Sequence, residues 1–147
     1  MPALFALFAV LAGMTSTLQS GSNAMLQKTL HAPLWAAAII SAITLLASVL
    51  VALLAGERMP SVGEMANVPW LAWVGGLFGL CFVLATIYAS PKLGIGLFTA
   101  LIVTASTLTS LLLDHFGLMG FAVREAPLGR IAGGVLMIVG VALIAAF

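Results

Sequence analysis

Charge is what this sequence has least of. Only 5 of its 147 residues are Lys or Arg and 4 are Asp or Glu, so 6 % is charged against roughly 25 % in an ordinary soluble domain. With 63 % hydrophobic residues and a mean hydropathy of +1.28, too little polar surface remains to cover a globule in water. A soluble enzyme is therefore excluded. The five basic residues form no stripe, which excludes a nucleic-acid binder. A single cysteine, Cys81, excludes a disulfide scaffold and reads as a small apolar residue inside a helix. The two histidines, His31 and His115, lie in different connections without ligand-like spacing, so neither metal nor cofactor is expected. No Ser-His-Asp or Cys-His arrangement and no glycine-rich phosphate loop points to an enzyme.

What the sequence has instead is long uncharged stretches. The charges fall at 28, 57, 58, 64, 92, 114, 124, 125 and 130 and leave runs of 27, 28, 27, 21 and 17 residues. Each spans or nearly spans a hydrocarbon core that needs about 20 residues of helix. Residues 3–12 would suit the core of a signal peptide, but no Lys or Arg precedes Lys28 and more membrane sequence follows, so they read as part of the first span. Pro2, Pro33, Pro60, Pro69, Pro91 and Pro127 all lie at or near run ends, where a missing N–H is tolerated. The expected fold is all-α: one polytopic membrane domain, 1–147, with five transmembrane helices at about 2–28, 33–55, 69–89, 93–113 and 127–147. Trp35, Trp70, Trp73 and Tyr88 stand near helix ends as interfacial anchors. The connection Asp114–Ala126, largely apolar, is expected to lie in the headgroup region.

Five spans put the termini on opposite faces. Arg58, Arg124 and Arg130 then share the side of the N-terminus, and Lys28 and Lys92 the other. Topology follows the Lys/Arg excess in short loops, and this near balance leans to an N-terminus inside while allowing insertion both ways. Two partnerships stay open: an antiparallel homodimer, or a fixed orientation beside an oppositely oriented homologue. An odd number of spans also means that two such chains fused head to tail form an inverted repeat, the usual alternating-access architecture.

Inside apolar runs the informative residues are polar. From Gly13 to Lys28 the first helix reads GMTSTLQSGSNAMLQK, and Ser16, Gln19, Ser20, Asn23 and Gln27 share one face at about 100° per residue. This stripe either lines a cavity, with Gln19 and Asn23 as binding amides beside Thr15 and Ser16, or joins helices through interhelical hydrogen bonds. Thr99, Ser106 and Ser110 share a face of the fourth helix, and Ser106 is the candidate from that set. Gly13 and Gly21 could let the first helix bend. Gly75 and Gly79 form a GxxxG, as do Gly129 and Gly133, spacings that let helices approach. All four carboxylates fall at segment ends, which disfavours exchange on a central acid. Asp114, just past Leu113, is the candidate for ionisable coupling, with an ion pair to Arg124 or Arg130 as the alternative role.

The order Gly13, Gln19, Asn23-Ala24, Leu26 and Pro33, with GGLFGLCFVLATIYASPKLG over 75–94, SLLLDHFGLMG over 110–120 and RIAGGVLMIVGVALI over 130–144, resembles the YdcZ-like branch of the drug/metabolite transporter superfamily, related to the EamA transporters. The resemblance covers nearly the whole chain. It implies a half-size unit of a ten-helix inverted-repeat assembly in a bacterial inner membrane, working as a dimer on a small solute. Where the family pattern has a Gly-Gln pair before Ser-Leu-Leu-Leu-Asp, this chain has Ala105-Ser106, which implies a different specificity or a group supplied by the partner chain. The expected function is therefore transport of a small polar or amphipathic solute by alternating access. The alternative is a non-transporting membrane interaction or regulatory subunit.

Overall fold

A computed structural model describes residues 2–147. Five helices are long and apolar enough to cross a membrane: α1 (Pro2–Leu30), α2 (Pro33–Leu54), α4 (Trp70–Tyr88), α6 (Ile95–Phe116) and α7 (Leu128–Ala146). Two short helices, α3 (Val62–Ala66) and α5 (Ser90–Leu93), sit in the connections. The described residues contain no strand, so the protein is an all-α polytopic membrane protein. The shortest span, 19 residues, is about 28 Å long at 1.5 Å per residue.

Helix ends follow local chemistry. Pro33 occupies the first turn of α2, where its missing N–H leaves no bond unmade. α1 stops at His31, whose φ of 53° turns the chain out of the helix. The fourth span begins at Ile95 rather than 93, because Gly94, at φ 79°, separates α5 from α6. α6 continues past Leu113 to Phe116 and is closed by Gly117 in the left-handed region, its N–H donating to the Leu113 carbonyl.

The chain divides into two compact units, one ending at Lys92 and the other Leu93–Phe147. In the first, α1, α2 and α4 pack on one another pairwise. Their shared core is Ala36, Ala37, Ile40, Val83 and Ile87, with Leu26 and Leu84 against it. The small side chains of Ala36 and Ala37 suit close helix approach, which supplies dispersion contacts where lipid removes the hydrophobic drive between helices. In the second unit α6 packs on α7, and a Cβ added to Gly134 would lie 2.9 Å from Leu108 Cδ2. Elsewhere the apolar side chains face outward, Phe8, Leu46, Phe78 and Leu136 among them, as a lipid-facing surface requires.

The loop after α2 holds a motif visible in the sequence as Ser61-Val62-Gly63-Glu64. Ser61 Oγ accepts from the Glu64 N–H, and the Ser61 N–H donates to Glu64 Oε2 at 2.8 Å. This reciprocal capping box starts α3, and Arg58 adds an ion pair to Glu64. Hydrogen bonds from the Ser61 N–H, then the Ser61 hydroxyl, then Arg58 hold the Glu64 carboxyl below its ordinary pKa. A depressed carboxylate contributes stability that is complete above the unfolded value, about 4.3, and is lost as pH falls through the lower folded value. Acidification below pH 4 should therefore fray α3 while the spans stay helical. Amide exchange at Glu64 and Met65, compared between pH 7 and pH 3 with correction for intrinsic rates, checks this; unchanged protection would remove the capping role.

Candidate functional site

The polar face of α1 divides into two parts. Ser20 and Asn23 are buried. Ser20 Oγ donates to the Ser16 carbonyl of its own helix at 2.9 Å. Asn23 Nδ2 donates across to Thr86 Oγ1 of α4 at 3.0 Å, and Thr86 Oγ1 donates to the Val83 carbonyl at 2.7 Å. That relay ties α1 to α4 with groups that apolar surroundings would otherwise leave costly. Gln19, one turn earlier, is exposed and lines two cavities.

The larger of these, about 380 Å³, is bounded by Gln19 of α1, by Ser41, Thr44 and Ser48 of α2, and by Gly76, Gly79 and Phe82 of α4. The second, about 350 Å³, again includes Gln19 and Thr44, with Ser22, Asn23 and Ile40. Gln19 precedes the end of α1 at Leu30 by eleven residues, and Thr44 follows the start of α2 at Pro33 by eleven. Both therefore lie roughly 17 Å from the α1–α2 turn, near the middle of a hydrocarbon core about 30 Å thick. Thr44 and Ser48 are tolerated there because their hydroxyls bond their own helix. Thr44 Oγ1 donates to the Ile40 carbonyl at 3.0 Å, and Ser48 Oγ donates to the carbonyls of Thr44 and Leu45.

The α2 wall carries its own signal in the sequence. Ser41, Thr44 and Ser48 recur at intervals of three and four, the spacing of one helix face. They are sparse in a strongly apolar helix, whereas α1 draws attention by density. The glycines act differently from a packing motif within this chain. A Cβ at Gly13, Gly75, Gly76, Gly79 or Gly133 would meet no atom within 4 Å, so Gly76 and Gly79 leave room in the cavity wall rather than a helix crossing. The close approach occurs at Gly134. Gly21 is partly buried on α1.

Thr15 and Ser16 do not line either cavity. Thr15 Oγ1 donates to the carbonyls of Leu11 and Ala12, both at 3.0 Å. Ser106 belongs to the second unit, is exposed, and donates to the Val103 carbonyl at 3.0 Å. In that unit Asp114 Oδ2 and Arg130 Nη1 are 3.7 Å apart, an ion pair beyond hydrogen-bond length. The same turn is closed by the Arg124 N–H on the Asp114 carbonyl at 2.8 Å and by the Ala126 N–H on His115 Nδ1 at 3.4 Å. An apolar cavity of about 390 Å³ lies between α6 and α7, lined by Leu108, Leu112, Phe116, Ile131 and Val135, with His115 at its polar edge.

The family described as "Putative inner membrane exporter, YdcZ" matches residues 4–143. The chain belongs to this family. It is 33 % identical over 90 residues to "Inner membrane protein YdcZ" of Escherichia coli (strain K12), an alignment that covers 60 % of this chain and 60 % of that relative. No solved structure matches it. Family and spans together make the chain an integral protein of the bacterial inner membrane.

Proposed function

We propose that the chain exports a small polar or amphipathic solute by alternating access, as an antiparallel pair or beside an oppositely oriented homologue. The observation that carries this is the Gln19 amide opening at mid-bilayer depth onto cavities walled by Ser41, Thr44 and Ser48. A primary amide facing outward in a lipid-immersed helix group is costly unless something polar covers it. A second copy and a solute between the two together meet that need. Gln19 would contact the solute directly. Asn23 lines the same space while holding α4 through Thr86. Asp114, already facing Arg130, is the group through which an ion could bias the cycle.

The test is flux in proteoliposomes, screened against a broad panel of small solutes. Wild-type protein should dissipate the gradient of at least one solute, and Gln19→Leu should slow that flux about tenfold or more, the loss expected when a polar contact to a substrate is replaced by an apolar one. A panel in which nothing crosses faster than through protein-free vesicles would favour a non-transporting subunit instead. For orientation, Phe147→Cys in a Cys81→Ala background should label from both sides of the membrane if single copies insert both ways. Labelling from one side only removes the antiparallel homodimer and leaves the heterodimer.

A further inference from the structure

Resting on that reading, the polarity of the cavity walls narrows the solute class. Thr44 Oγ1 and Ser48 Oγ already donate their protons to carbonyls of α2. A hydroxyl that donates to its own helix keeps only lone pairs for a ligand. Thr44 and Ser48 therefore present acceptors to the cavity, while Ser41 on the same wall is a hydroxyl that can donate as well as accept. Gln19 contributes one further acceptor, its carbonyl oxygen, together with the two N–H donors of its amide. Across the space Leu80, Phe82 and Val83 of α4 form an apolar side. No charged or titratable side chain lines either cavity among the described residues.

A full charge in such a site would lose its hydration without gaining a counter-ion, which low-dielectric surroundings penalise heavily. A neutral molecule lacking donors would leave the acceptor row unpaired. We infer that the site takes a small uncharged solute carrying two or more O–H or N–H donors on one edge and an apolar surface on the other, such as an amphipathic alcohol or a primary amide. Recognition comes from hydrogen bonds that the solute donates to Thr44, Ser48 and the Gln19 oxygen, with its apolar side on Phe82 and Leu80.

The experiment uses matched pairs in proteoliposomes of the full chain: neutral polyols and primary amides, each against its fully O- or N-methylated counterpart, together with a tetraalkylammonium cation and a carboxylate. Flux is corrected for protein-free vesicles. The donor-bearing member of a pair should move about tenfold faster than its methylated counterpart, the scale of one or two hydrogen bonds. Thr44→Val, which keeps shape and removes the acceptor, should shrink that ratio, and Ser48→Ala provides a second variant should the first fail to assemble. Methylated and donor-bearing solutes moving equally, or the ammonium ion or the carboxylate moving in preference, overturns this assignment and leaves export itself standing. Flux of no solute at all overturns export and this assignment with it.

Discussion

Thr86→Val should destabilise the three-helix unit by about 1–3 kcal/mol, the cost of leaving a buried donor unmatched; membrane measurements place interhelical bonds toward the lower end of that range. Valine has nearly the shape of threonine, so packing around residue 86, which is fully buried, changes little. What is lost is the acceptor for Asn23 Nδ2, and Asn23 is only 4 % exposed. The effect is directional. Removing the amide instead, as in Asn23→Leu, leaves Thr86 bonded to the Val83 carbonyl and should cost less. The double variant should recover much of the Thr86→Val loss, because it removes both halves of the pair together. Thermal unfolding of all four proteins in one mild detergent measures the coupling. Strictly additive losses would show that the contact contributes nothing to holding α1 on α4.

The second large effect is expected at the turn between α6 and α7. Gly117 has φ 60°, and a Cβ there would lie 2.6 Å from Val123 Cγ2 and 3.3 Å from the Phe121 carbonyl oxygen. A left-handed conformation costs a non-glycine residue about 1–2 kcal/mol, and the clash adds to that by pushing Val123 away. Displacing the segment 121–124 also strains the Arg124 N–H bond to the Asp114 carbonyl and the seating of Arg130 beside Asp114. Gly117→Val should therefore lower the thermal midpoint and expose the return segment to protease, whereas Gly120→Ala meets no atom within 4 Å and carries only the cost of its own positive φ. Limited proteolysis of both variants in detergent compares them. Equal cleavage in the two would show that φ rather than crowding governs this turn.

Much of the fold was legible because insertion into lipid is a coarse filter. Nine charges and six prolines delimit five spans with errors of no more than about three residues, since a charge in hydrocarbon and a proline inside a helix are each costly. The larger errors sit at His31, Gly94 and Gly117, where a positive φ decides the helix end and no composition argument reaches. The resemblance read from the residues at Gln19, Asn23 and 110–120 agrees with the family match over 4–143.

Within the candidate site the sequence by itself determined that uncharged amides and hydroxyls, not carboxylates, occupy the membrane interior, and that Gln19 and Asn23 share a face of α1. Periodicity relates residues on one helix, and it does so through geometry that needs no neighbours. Only the tertiary structure decided what each residue meets. It set Asn23 against Thr86 and opened Gln19 toward Ser41, Thr44 and Ser48. It also made Gly134 rather than Gly133 the point of contact between α6 and α7, because which face of a helix meets another depends on the partner's side chains and on the angle at which the two helices settle.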